Sequence, residues 1–330
     1  MLTTLLIATA KALTLAILLM TCAAVELIME RKVLGYLQYR VGPNRVGPWG
    51  LFQPIADVVK MLFKEDLIPR DADRLVFRLA PILTFFVALA AWVVIPVGEG
   101  DFWKIANPNA GVLVFLAIGS ISVYGVALGG WASQSKYTLL GSMRATAQMI
   151  SYELAMGMAL IGVILMAGSL RIGDIVAAQG ASGYGYYWLW QLPGFIVFVV
   201  AALAETARTP FDLPEAETEL VGGYHTEYSG MRFGLFFLAE LVHLITMSAL
   251  ISLLYLGGWN TISFLSFIPG PLAFFLKVCF MIFIFIWIRA TWPRFRYDRL
   301  MSFGWKVMLP LAALNLVATA VYVALWAPKV

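Results

Sequence analysis

The chemistry in this sequence is carried by carboxylates set in apolar stretches. Glu153 lies halfway along the apolar run 140–168, Glu240 lies two turns into the run 233–257, and Glu205 closes the run 187–205. Glu26 and Glu30 close the run 3–28, one turn apart and on one helical face. A carboxylate inside a hydrocarbon layer costs roughly 2.5–3.5 kcal/mol on insertion scales, so each needs a reason. The chemical reason is proton exchange, since a carboxyl in low dielectric can change protonation near neutral pH. The plain structural alternative is ion pairing, for which Arg144 and Lys277 are available. Four apolar segments that each supply an acid favour a relay over four coincidences.

Three hydrophilic segments add to this pattern. The stretch from Glu205 to Glu219 is acidic, with Glu215, Glu217 and Glu219 in quick succession and Glu227 beyond. Clustered carboxylates repel and hold protons more readily, so this segment can gather protons at a polar mouth or dock a basic partner. The stretch Ile288–Asp298 mixes three arginines with aromatics, as a headgroup anchor does. Arg289 precedes the Trp292-Pro293 break and can reach inward. The first hydrophilic segment holds a double turn, Gly42-Pro43-Asn44-Arg45-Val46-Gly47-Pro48, followed by an amphipathic stretch at 50–65. Leu51, Phe52, Ile55, Val58, Val59, Leu62 and Phe63 form one face; Gln53, Asp57, Lys60 and Lys64 form the other. Pro54 falls in the first turn, where a missing N–H costs little. A helix of this kind lies in the membrane interface. It serves there as a surface anchor or as the wall of an entrance for a lipid-dissolved ligand.

The elements that must position these residues are transmembrane helices. The 330-residue chain is 61% hydrophobic and 13% charged, against about 25% charged in an average soluble domain. Continuous apolar runs of about 20 residues predict an all-α polytopic membrane protein rather than a barrel. Spans are expected near 3–28, 77–97, 110–132, 140–168, 187–205, 233–257, 272–291 and 304–326, as one transmembrane domain over 1–330. The first is read as a retained helix rather than a signal peptide. The segments 29–78, 133–144, 206–232 and 289–306 carry 18 of the 23 Lys and Arg, which predicts that they are cytoplasmic and that both termini lie outside. Cys22 and Cys279 have no metal-site or disulfide spacing, and two cysteines cannot hold an iron–sulfur cluster. There is no Walker motif and no dinucleotide fingerprint, so electron carriers are expected on partner chains.

At these residues the sequence resembles a known family, the membrane subunit of respiratory complex I that joins the membrane arm to the peripheral arm. In bacteria this is the H subunit of the proton-translocating NADH–quinone oxidoreductase. The matching segments are Glu30-Arg31-Lys32 through Arg45, Leu51–Pro69, Gly141–Glu153, Glu205–Gly230 and Ile288–Asp298, in that order. The resemblance implies an eight-helix subunit of a translocase, with a quinone tunnel that opens to lipid near the first and sixth spans and the helix at 50–65. It implies Arg31, Asp57, Lys60 and Arg289 in the tunnel lining. It implies Glu30, Glu153, Glu205, Glu215, Glu217, Glu219, Glu227 and Glu240 on a proton path. The substrate would be a quinone, ubiquinone or menaquinone. FMN and iron–sulfur clusters would sit on partners: the peripheral-arm quinone-site and iron–sulfur subunits, with small membrane subunits and antiporter-like subunits beside the chain. No nucleic acid is expected. The location would be a bacterial plasma (inner) membrane, with the mitochondrial inner membrane as the alternative.

Two other functions compete. A stand-alone ion or solute transporter explains buried acids, but not the amphipathic stretch or the lack of internal repeats. The membrane subunit of an energy-converting hydrogenase is similar in design and reduces no quinone; the Glu205–Gly230 stretch favours the quinone enzyme.

Overall fold

Apolar runs too long and too continuous for strands fold here into helices, and among the described residues all regular structure is helical. The structure is a computed structural model and describes residues 2–181, 185–213, 221–261 and 267–326. In chain order the helices are α1 (Leu2–Leu37), α2 (Gln53–Phe63), α3 (Arg74–Ala90), α4 (Gly111–Ala132), α5 (Lys136–Ala167) and α6 (Ile172–Ala181). They continue with α7 (Tyr187–Trp190), α8 (Leu192–Glu205), α9 (Gly230–Leu254), α10 (Gly270–Thr291), α11 (Tyr297–Phe303) and α12 (Leu309–Trp326). A π turn, Gly304–Met308, joins the last two, so that they form one crossing.

Among the described residues seven helices are long and apolar enough to cross a membrane, and α8, at 14 residues, is a shorter apolar helix at the position of the fifth expected span. That span is broken at Gln191, because Pro193 lacks the N–H to continue a helix through it and instead starts a new one. The break is held by polar side chains inside the bundle. Asn315 Nδ2 donates to Gln191 Oε1 at 2.7 Å, and Gln191 Nε2 donates to Thr319 Oγ1 at 2.6 Å. Two expected boundaries are corrected. Helix α1 runs to Leu37 rather than stopping at 28, because arginines from distant segments neutralise the acids of its last turns. The expected loop 289–306 is largely helical, because α11 accepts Asp298 in its first turn and leads into α12.

Helix α9 is the most buried span and packs against α1, α2, α3, α8 and α10. Its neighbours carry the apolar side chains that face outward, among them Leu13, Ile17, Phe86, Leu113 and Phe280. Helix α2 is amphipathic as expected and exposes Ile55, Val59, Leu62 and Phe63. The double turn before it needs Gly50 at φ 73°, where a Cβ would strike the Pro43 carbonyl.

The segment after α8 is pinned to α5. Gln148 Nε2, fully buried, donates to the carbonyls of Ala204 at 2.7 Å and Phe211 at 2.8 Å. Further along, the Gly223-Tyr224 backbone lies directly on Gly141, whose Cβ would come within 2.8 Å of the Gly223 carbonyl carbon. Replacing Gly141 with valine must lift this segment off α5. The expected cost is about 1–3 kcal/mol of overpacking. It should appear as a lower thermal midpoint of the purified protein, with Gly157→Val, which has open space, as the control.

Candidate functional site

The site is built where the segment after α8 returns between α1 and α9. Glu205 ends α8, Ala207 takes a left-handed conformation at φ 50°, and Arg208 follows, 3% exposed. The flanking chain is fixed on both sides. Gln148 holds it from α5, and on the other side Phe295 N donates to Pro210 O at 3.1 Å and Arg294 pairs with Asp212 at 2.7 Å.

Arg208 meets three carboxylates. Nη2 lies 3.3 Å from Glu26 Oε1, Nη1 lies 2.7 Å from Glu30 Oε2, and Nε lies 3.7 Å from Glu240 Oε1. Arg289, from the last turn of α10, pairs with the other oxygen of Glu30. Three carboxyls therefore face two guanidiniums in a buried cluster, and the cluster reaches neutrality with one added proton. A guanidinium fork suits this arrangement because its donors point in fixed directions at several acceptors.

A second group of polar atoms lies against it. A cavity of about 70 Å³ is lined by Thr84 of α3, Ser122 of α4, Glu205 of α8, Tyr224, and Glu240 and His243 of α9. His243 Nε2 is 3.4 Å from Glu205 Oε1. Glu153 of α5 stands nearby, bonded to Ser120 of α4. Gly119, one residue before Ser120, leaves Glu205 Oε1 room beside α4: a Cβ there would sit 4.0 Å from it.

The polar face of α2 forms a third group. Arg31 of α1 pairs with Asp57 at 2.6 Å, Gln53 Nε2 donates to Asp57 at 3.1 Å, and Lys60 stands 3.9 Å from the same carboxylate. Arg31, Asp57 and Lys60 line one side of a cavity of about 130 Å³ between α1, α2 and α9, whose apolar wall includes Ala24, Leu27, Val58, Phe237 and Leu241.

The structure thus brings Glu30, Glu240 and Arg289 together, places Glu205 and Glu153 beside them, and sets Arg31, Asp57 and Lys60 in a separate groove. Glu227 is half-buried in the turn before α9. Glu215, Glu217 and Glu219 lie outside the described residues. Sequence reasoning gave Arg208 and His243 no role and left Glu26 off the proton path. The signal for Glu26 is its i,i+4 pairing with Glu30; Arg208 reads as one more charge in a charged loop. Of the cations considered as partners for the acids, Lys277 does other work: its Nζ donates to the carbonyls of Leu256, Gly258 and Asn260 at 2.7–2.8 Å. Arg144 lies over the Tyr297 ring at 5.5 Å. Arg208→Met strips the main counter-charge from three carboxyls and should destabilise the protein by about 3–5 kcal/mol. Adding Glu26→Gln to that variant should recover part of the loss, read as thermal midpoints of the single and double variants.

Comparison with known proteins shows the family. A family model described as NADH dehydrogenase matches residues 10–320. The chain is 60% identical over 326 residues to the H 1 subunit of NADH-quinone oxidoreductase from Symbiobacterium thermophilum, covering 98% of both chains. It is 51% identical to the H subunit of NADH-quinone oxidoreductase from Rhodospirillum centenum, covering 97% of this chain and 95% of the relative. It is 50% identical to NADH-quinone oxidoreductase subunit 8 of Thermus thermophilus, covering 97% of this chain and 87% of the relative. A multi-pass helical chain with buried acids and near-complete matches of this kind belongs to the H-subunit family of NADH–quinone oxidoreductase (complex I), the NADH dehydrogenase subunit 1 family.

Proposed function

We propose that this chain binds quinone at the junction with the peripheral arm and links quinone reduction to proton translocation through its buried carboxyls. The observation that carries this reading is the adjacency of Glu30 and Arg31 on α1. Arg31 faces the groove through Asp57, and Glu30 faces the buried cluster through Arg208 and Arg289. One helical turn therefore touches both an apolar groove with a charged edge and a set of acids that lacks one positive charge.

In this reading quinone, ubiquinone or menaquinone, enters sideways between α1, α2 and α9. The exposed apolar face of α2 lies in the interface beside that opening. Electrons come from NADH through flavin and iron–sulfur clusters on other complex I subunits. Reduction of a quinone takes up two protons, and so changes the charge near Arg31, Asp57 and Lys60. Arg289 and Arg208 feel that change through Glu30, and the proton balance of Glu240, Glu205 and Glu153 shifts in turn, toward the antiporter-like subunits. The acids at Glu215, Glu217, Glu219 and Glu227 would supply protons from the cytoplasmic side. Both termini face the outer side of a bacterial plasma membrane.

Three outcomes check this reading. In the assembled enzyme reconstituted in vesicles, Glu205→Gln and Glu153→Gln should lower the protons moved per NADH oxidised several-fold; normal pumping takes these residues off the path. Asp57→Asn should raise the apparent KM for quinone about tenfold, as expected for loss of a charge-assisted contact worth ~1.4 kcal/mol. In a background without Cys22 and Cys279, an impermeant maleimide should label Asn44→Cys only in inverted vesicles and Asn109→Cys only in right-side-out vesicles. The reverse labelling overturns the orientation.

A further inference from the structure

We propose that His243 is the proton-accepting bridge between Glu205 and Glu240, working through water in the cavity that the three share. This rests on the proton-coupling reading above and names a group that the carboxyl path does not include.

Three observations carry it. First, His243 lies on the same face of α9 as Glu240, three residues on, and both line the cavity that Glu205 enters from α8. Second, His243 Nε2 stands 3.4 Å from Glu205 Oε1, close enough for an ion pair but not aligned for a direct hydrogen bond. Third, Ser122 Oγ, Glu205 Oε2 and His243 Nε2 are all buried in this wall without a hydrogen bond from the protein. Buried polar atoms of this kind are satisfied by ordered water, and about 70 Å³ of water-sized space holds more than one molecule. The wall of the cavity is largely apolar, and its polar atoms cluster where His243 faces the Glu205 carboxylate.

The charged and titratable groups around His243 are few among the described residues. Glu205 comes from α8, and Glu240 from its own helix with Arg208 behind it. Glu153 of α5 sits beyond Ser120, and Tyr224 adds a phenol to the wall. Helices α3 and α4 add the hydroxyls of Thr84 and Ser122.

The transfer balances as a single proton. The Glu205 carboxyl gives its proton to Nε2 through one water, leaving a carboxylate beside an imidazolium. The imidazolium then returns that proton to water on the Glu240 side, where the Glu240 carboxylate accepts it, and the imidazole is neutral again. Imidazole suits this role because a ring nitrogen can both accept a proton and release it again.

The test uses the complete enzyme in vesicles, with NADH as donor and a short-chain quinone as acceptor. Protons moved per NADH are read for each enzyme. His243→Asn and His243→Gln keep a polar side chain but cannot take a proton. They should lower the ratio about tenfold. A variant that loses thermal stability but pumps with the wild-type ratio assigns His243 a packing role and overturns the proposal. Glu205→Gln in the same vesicles separates the two claims. If it fails to pump while His243→Asn pumps normally, the bridge alone is wrong; if both pump normally, the proton-coupling reading falls with it.

Discussion

A guanidinium cannot be buried without carboxylates around it, and Arg208 has three. Glu26 and Glu30 meet it from α1 and Glu240 approaches from α9. Removing water from such charges costs several kcal/mol per ion, and the attraction between them offsets this only when geometry and hydrogen bonding are good. The surrounding structure supplies that geometry. Gln148 clamps the backbone on both sides of Arg208, Arg294 and Phe295 hold it from the far end, and Arg289 covers the open side of Glu30. The course of the segment after α8, the length of α1 and the docking of α10 all follow from satisfying this cluster.

A buried ion cluster is weak evidence for stability, since well-packed apolar residues often do as well. Its composition points to function. Three carboxyls face two guanidiniums, one positive charge short of balance. On one side lies the groove with Arg31, Asp57 and Lys60; on the other lies the cavity with Glu205, His243 and Tyr224. Both are built on α9, and Glu30 stands next to Arg31 in sequence.

The apolar scaffold has a complementary task. Helix α9 is buried along most of its length, so its polar residues are shielded from lipid by α1, α3, α8 and α10. The broken fifth crossing is kept in register by Gln191, Asn315 and Thr319, whose side chains bond to one another rather than to chemistry. Polar groups in a helical membrane bundle thus divide into closed networks that fasten helices and open ones that retain unpaired lone pairs. The second kind surrounds the 70 Å³ cavity.

Much of this was legible in the residues themselves. Apolar run length sets the crossings, because a hydrocarbon layer admits only helices with satisfied backbones. The 3.6-residue pattern at 50–65 marks α2, and acids inside apolar runs mark Glu153, Glu205 and Glu240 as costly and therefore purposeful. Tertiary structure alone decided which charges meet. Arg208 lies 178 residues from Glu30 and Arg289 lies 259 from it. No local spacing distinguishes Arg208 from a solvated loop arginine, and Arg289 is marked only by its place before the Trp292-Pro293 break. His243 reads in sequence as one polar residue on an apolar helix; only the approach of α8 sets Glu205 against it. Helix formation is governed by neighbours along the chain, whereas the partner of a buried charge is chosen by whichever segment the packing brings within a few ångströms.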